Sequence, residues 1–131
     1  MTIIGKGVRI GNFVEIKNSQ IGNGSKIAHH AYIGDTQMGR NVNIGAGVIV
    51  CNFDGRQKHQ TIIGDNVFVG SNVNLIAPIK LEDNSFIAAG STINKDVPSG
   101  MLGIARARQE NKGWARPVFS DSFNCDKPMS S

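Results

Sequence analysis

The sequence predicts an all-β chain wound as a triangular coil of about five turns, and three observations lead there. Aliphatic residues followed by glycine or another small or polar residue recur at roughly six-residue spacing through most of the chain. Four positions after many of them stands a small or β-branched residue: Val8, Val14, Ser25, Ala31, Val42, Val48, Val67, Val73, Ser91 and Val97. Sixteen glycines against four prolines, with only 6% aromatic residues, call for frequent regular turns around an interior of aliphatics rather than large rings. A six-residue period with a second small site at the fifth place fits neither an amphipathic helix nor a simple alternating strand. It does fit three short strands per turn, each sending one aliphatic into a narrow prism.

Taken in order, the coils are Ile4, Ile10 and Ile16; Ile21, Ile27 and Ile33; Met38, Ile44 and Val50; Ile63, Val69 and Leu75; and Leu81, Ile87 and Ile93. Stacking puts Ile4, Ile21, Met38, Ile63 and Leu81 in one corner column, and the other two corners form likewise. One coil buries only a thin slice, so stability requires several in contact. Five coils at inter-strand spacing give a column on the order of 23 Å. The small residue at the fifth place is needed because a bulky one would collide inside the turn.

The register breaks once, after Val50, where 51–61 inserts before Ile63. A loop expelled from a rigid stack can overhang a neighbouring groove, and such loops often carry function. The repeat ends near Val97-Pro98, with Ser99-Gly100 as a turn signal. The expected organisation is therefore a coiled domain over 1–98, an arm over 99–117 containing an extended stretch from Met101 to Arg106, and a disordered tail over 118–131.

The formal charge of +4 is modest and its basic residues are scattered without interleaved aromatics, which speaks for a phosphorylated small molecule rather than nucleic acid. Cys51 and Cys125 lie too far apart for a metal-binding pair or a disulfide framework. There is no apolar run of membrane-spanning length and no charged-then-apolar leader, so no membrane partner and a cytoplasmic location are expected. Open coil ends and a flat aliphatic face point to oligomerisation.

Between Ser25 and Lys58 the repeat acquires polar residues that a scaffold does not need. His29 and His30 fall between Ile27 and Ile33, on adjacent positions of one expected strand, and a histidine is readily tuned to accept a proton near neutral pH. Tyr32, Asn43, Asn52 and Lys58 belong to the same and the next coil and are expected within one groove between subunits.

The runs Gly11-Asn12-Phe13-Val14-Glu15-Ile16-Lys17-Asn18, Tyr32-Ile33-Gly34-Asp35, Asn41-Val42-Asn43-Ile44-Gly45-Ala46-Gly47, Cys51-Asn52-Phe53-Asp54-Gly55 and Val67-Phe68-Val69-Gly70-Ser71 carry a specific likeness. With Ala88-Ala89-Gly90-Ser91 and Gly113-Trp114, they resemble the C-terminal acetyltransferase domain of bifunctional N-acetylglucosamine-1-phosphate uridyltransferase/glucosamine-1-phosphate acetyltransferases. That family belongs among the hexapeptide-repeat acyltransferases, so the resemblance implies a left-handed parallel β-helix, a homotrimer with intersubunit sites, and acetyl-CoA as cosubstrate without a metal. It implies His29 as general base, oriented by Glu15, with Asn52 placing the acetyl and amine groups. Lys17, Tyr32, Asn43 and Lys58 would hold the sugar phosphate, and the Ala46 amide would face the thioester oxygen. Ser71, Ala89 and Arg106 would contact coenzyme A.

His30, Ala31 and Phe53 depart from that family's pattern around the acceptor site, and its phosphate-binding arginine would precede Met1. A stand-alone domain without nucleotidyl transfer is the expectation. Two other readings stand beside it: a non-catalytic scaffold or regulatory module derived from the same domain, and a metal-dependent carbonic anhydrase needing His29, His30 and His59 together.

Overall fold

A computed structural model describes residues 1–114, and sixteen short strands, numbered in chain order, make three parallel sheets. The first face stacks β1 (Ile3–Ile4), β4 (Gln20–Ile21), β7 (Thr36–Met38), β10 (Thr61–Ile63) and β13 (Ile79–Leu81). The second stacks β2 (Arg9–Ile10), β5 (Lys26–Ile27), β8 (Asn43–Ile44), β11 (Phe68–Val69), β14 (Phe86–Ile87) and β16 (Leu102–Gly103). The third stacks β3 (Glu15–Lys17), β6 (Tyr32–Gly34), β9 (Ile49–Cys51), β12 (Asn74–Ile76) and β15 (Thr92–Ile93). Consecutive strands lie on different faces and every third strand pairs, which is the topology of a left-handed parallel β-helix.

The register follows the aliphatic period residue for residue. Ile4, Ile21, Met38, Ile63 and Leu81 are successive partners on the first face. Ile10, Ile27, Ile44, Val69 and Ile87 are partners on the second. These columns face inward, and Ile27, Ile33, Ile44, Val69, Leu75, Leu81 and Ile87 are fully buried in one continuous core. Fifth-place residues such as Val42, Val48, Val67 and Val73 close the same core from the turns. Where the fifth place is Ser25, its hydroxyl donates to Gly39 O (2.9 Å) and accepts from Val42 N (3.1 Å), so a buried polar group is satisfied between coils.

Three expectations need correction. The aliphatic columns run along the faces, not the corners; the corners are turns between strands, because the chain must bend there and an extended residue cannot. His29 and His30 therefore lie on a turn between β5 and β6 rather than on one strand, and His30 adopts a left-handed backbone (φ 48). The equivalent turn positions Phe13, Gly47, Asn72 and Gly90 do the same. Finally, the coil count is about six rather than five. Val97 bridges Leu81 on the first face, β16 pairs with β14 on the second, and Thr92 N donates to Ala105 O (3.1 Å) on the third. Much of the stretch from Met101 to Arg106 thus caps the prism as a further coil. Residues 115–117 of the expected arm, and the expected tail over 118–131, lie outside the described residues.

One long insertion interrupts the winding. Coil-to-coil spacing is 17 residues across Asn18 and Asp35 but 25 across Arg40 and Asp65, and the excess is the loop between β9 and β10. No helix of the described residues is long and apolar enough to cross a membrane.

Candidate active site

Two clusters hold the residues singled out in the sequence. The first is the corner between the second and third faces. His29, Ala46, Ser71 and Ala89 occupy this corner in four successive coils, tied by backbone bonds from Gly47 N to His29 O (3.2 Å), Asn72 N to Ala46 O (2.8 Å) and Gly90 N to Ser71 O (2.8 Å). One coil below, Gly11 lies beneath Ala28, the residue before His29. A Cβ there would run into the Ala28 carbonyl and approach His29 Nδ1 to 3.3 Å, so only glycine lets the histidine corner settle on the coil below.

The backbone amides along this corner are divided. Gly45 N and Gly47 N are spent on Val69 O and on His29 and His30 O, whereas Ala46 N donates to no described residue. The same holds for Ser71 N and Ala89 N above it. The corner therefore offers a ladder of unspent donors at coil spacing, with the exposed imidazole of His29 at its foot. Arg106 closes the top, where its Nη1 donates to Ala89 O (2.8 Å).

The second cluster gathers at the far end of the third face. Asp35, on the turn after β6, accepts from Asn18 Nδ2 through Oδ1 (2.7 Å) and from Asn52 Nδ2 through Oδ2 (2.7 Å). Asn52 is buried, and its Nδ2 also donates to the Tyr32 hydroxyl oxygen (3.2 Å). Gly34 leaves the space where these groups meet, since a Cβ there would collide with both Tyr32 Oη and Asn52 Nδ2. Lys17 and Lys58 act on one another at the mouth: contact with the Lys58 amino group raises Lys17, and contact with the Lys17 amino group, then its like charge, lowers Lys58. The Asn18 amide, then that of Asn52, holds the Asp35 carboxyl below the ordinary carboxylate range. Asn18, Asp35, Lys58, His59 and Gln60 line a surface cavity of about 250 Å³ beside this cluster.

The inserted loop is what carries Lys58 back to Lys17. Phe53 and Lys58 form an antiparallel bridge, and His59 N donates to Asn52 O (2.7 Å). Asp54 organises the tip: its Oδ1 accepts from Arg56 N and Gln57 N (2.7 Å each), and its Oδ2 lies 2.7 Å from His59 Nε2. The Gln57 amide first, then His59 and the Arg56 amide, pull its carboxyl down to about 2. Because the folded value is depressed, this support is present throughout the range above the ordinary carboxylate value of ~4. It is lost progressively below that value as pH falls through about 2. Replacing Asp54 with Asn is expected to loosen the tip and raise tryptic cleavage after Arg56 several-fold at neutral pH, measured by mass spectrometry of the time course. Cleavage at the wild-type rate would mean that the turn holds without the carboxylate.

The remaining expected site residues sit between or beside these clusters. Glu15 is in register with Tyr32 and bears electrostatically on Lys17; it makes no hydrogen bond to His29. Asn43 lies on the second face between Lys26 and Phe68. His59 is engaged by Asp54 on the loop, whereas His29 and His30 share the other end of the third face, so the three histidines do not converge. Asp35 and Asn18 were not among the expected site residues. Their signal was the period itself, since Asn18, Asp35 and Asn52 stand 17 apart at equivalent places of three coils.

Comparison with known proteins gives the family. Residues 1–35 and 60–95 match the family described as bacterial transferase hexapeptide (six repeats). The chain is 60% identical over 116 residues to the bifunctional protein GlmU of Thermodesulfovibrio yellowstonii, covering 88% of this chain and 26% of that protein. It is 57% identical over 112 residues to the bifunctional protein GlmU of Clostridium perfringens, covering 85% and 25%. The chain thus spans about a quarter of the length of the curated relatives it matches, in their C-terminal part. Among solved structures, its fold is similar to a maltose O-acetyltransferase from Clostridium difficile (TM-score 0.71, 22% identity, 79% of this chain and 64% of that one). The acetyltransferase domain of PglB from Neisseria gonorrhoeae is also similar (TM-score 0.69, 21% identity, 77% and 47%). With the repeat matched over more than half its length and the coil register observed directly, the chain belongs to the bacterial transferase hexapeptide family.

Proposed function

We propose that this chain is an acetyl-CoA-dependent N-acetyltransferase acting on an amino-sugar phosphate such as glucosamine-1-phosphate. The observation that carries this reading is the corner column, in which a histidine stands in line with unspent backbone amides at Ala46, Ser71 and Ala89. An amine is nucleophilic only when unprotonated, and neutral His29 would take its proton as the nitrogen attacks the thioester carbonyl. Negative charge would develop on the carbonyl oxygen, where the Ala46 N–H offers a fixed donor. The proton held by His29 then passes to the departing thiolate of coenzyme A. The amides of Ser71 and Ala89 and the Arg106 guanidinium would grip coenzyme A above the reacting atoms.

Lys17 and Lys58 supply positive charge for the acceptor's phosphate, with Tyr32 and Asn43 reading hydroxyls and Asn52 accepting from the amine. In one chain the His29 corner and the Asn52 cluster lie at opposite ends of the third face. We therefore infer a homotrimer in which one subunit's corner meets a neighbour's cluster. Partly exposed Ile49, Ile62, Phe68 and Phe86 on the outer faces, with Phe68 and Phe86 stacked at 4.5 Å, provide apolar surface for such contacts. Light scattering should give three times the chain mass; a monomer that remains active would overturn the shared site.

The direct test is thiol release from acetyl-CoA across a panel of amines, with glucosamine-1-phosphate first. Turnover with an amino-sugar phosphate is expected. Absence of turnover with every amine would leave the scaffold reading in its place.

A further inference from the structure

We propose that Asp35 is a positioning residue of the acceptor site: its carboxylate fixes the orientation of the Asn52 amide and places a negative charge beside Lys58 in the cavity that both line. The inference rests on the acetyltransferase reading for its consequence in catalysis, but its physical basis is local.

Asp35 is held firmly by its own backbone. Its N–H donates to Lys17 O (3.0 Å) in the coil below, and its carbonyl accepts from Thr61 N (3.1 Å) in the coil above. Its left-handed conformation (φ 48) matches that of Asn18 one coil below, so the two side chains project in the same way from stacked turns. The carboxylate is then shared upward and downward, with Asn18 on one oxygen and Asn52 on the other.

An ionised carboxylate can only accept. Asn52 must therefore present its NH₂ to Asp35, since the reversed amide would set one oxygen against another. The Tyr32 hydroxyl oxygen receives the same NH₂, which leaves the Tyr32 proton free to donate elsewhere. With its nitrogen committed, Asn52 has only Oδ1 to offer, and no described residue donates to it. An accessible amide carbonyl held without a described protein donor is suited to receive an N–H of an acceptor amine. Asp35 thereby converts Asn52 from an amide of two possible orientations into a one-way acceptor.

The same carboxylate lines a cavity with Lys58 and bears electrostatically on Lys17. The charged and titratable groups around them are Lys17 and Glu15 on β3, Tyr32 on β6, Asp35 after it, and Lys58 with its neighbour His59 on the loop. Side by side, the amino groups favour loss of a proton from Lys58, and Asp35 opposes that loss. Without Asp35, Lys58 would lose its proton at lower pH.

The test compares Asp35→Asn, which keeps the shape but removes the charge and permits the reversed amide, with Asp35→Glu, which keeps the charge. Two readouts are taken on the full chain. The first is kcat/KM for glucosamine-1-phosphate against pH. The second is pH-dependent labelling of Lys58 by an amine reagent, quantified by mass spectrometry, which needs no turnover. Asp35→Asn is expected to lower kcat about 10- to 100-fold, the scale of one hydrogen bond to a charged group. It should leave the KM for acetyl-CoA unchanged and move both the alkaline limb and the Lys58 labelling midpoint to lower pH. Asp35→Glu should return the midpoint toward wild type.

A midpoint that does not move in Asp35→Asn overturns the proposal whatever happens to activity, because a purely structural role would leave it in place. If the midpoint moves while the wild type acetylates no amine, it is the acetyltransferase reading that falls, and the hold of Asp35 on Lys58 stands.

Discussion

Replacing His29 with alanine is expected to reduce turnover by about 10²–10⁴-fold, the usual worth of a positioned general base. Thiol release from acetyl-CoA with glucosamine-1-phosphate would measure it. The interpretation is clean because the imidazole is exposed while its corner is held by main-chain atoms: the His29 and His30 carbonyls accept from Gly47 N, and His30 N donates to Asn12 O. None of these bonds depends on the side chain, so His29→Ala should fold as the wild type does and keep its KM for acetyl-CoA. The loss should sit in kcat, since proton transfer matters as the amine attacks and not as it binds. Unreduced turnover in the variant would remove His29 from the mechanism.

Truncating Ile44 to alanine should have the largest effect on stability. Ile44 is 0% exposed, lies on β8 in the third coil, and is flanked in register by Ile27 below and Val69 above. The coils are tied to one another by main-chain ladders and cannot close over the void, so the transfer and cavity costs both apply, about 2–5 kcal/mol. Against a total stability of about 5–15 kcal/mol for a domain, that is a large fraction. Because each coil touches only its neighbours, the weakness concentrates in the coil that carries Ala46. Ile4→Ala is the control. Ile4 is 42% exposed at the open first coil, so its truncation should cost much less. Urea midpoints at equal chain concentration would compare the two, and equal shifts would show that burial does not grade along the stack.

The scaffold was legible because its signal repeats. An aliphatic that must point inward once per strand leaves a mark at every coil, and the columns read from the period are the columns that pair. The sixth coil was harder to read because Gly103 stands where an aliphatic would mark it, and Ile87, Ile93 and Val97 crowd the place of its absent side chain. The turn at His29 and His30 was hidden for another reason. A left-handed residue at that corner can be Gly, Asn, Phe or His, so composition does not announce it.

The sequence by itself therefore determined the winding, the register and the aliphatic columns. All of these follow from one period imposed on main-chain pairing. Only the tertiary structure decided which side chains meet. Lys58 reaches Lys17 because the inserted loop folds back through the bridge of Phe53 with Lys58, and nothing in the period sets the path of a loop. Asp35 joins Asn52 because Gly34 leaves room for Tyr32 and Asn52 beside it. Contacts of that kind depend on the space left between coils, whereas the fold depends only on which residues avoid water.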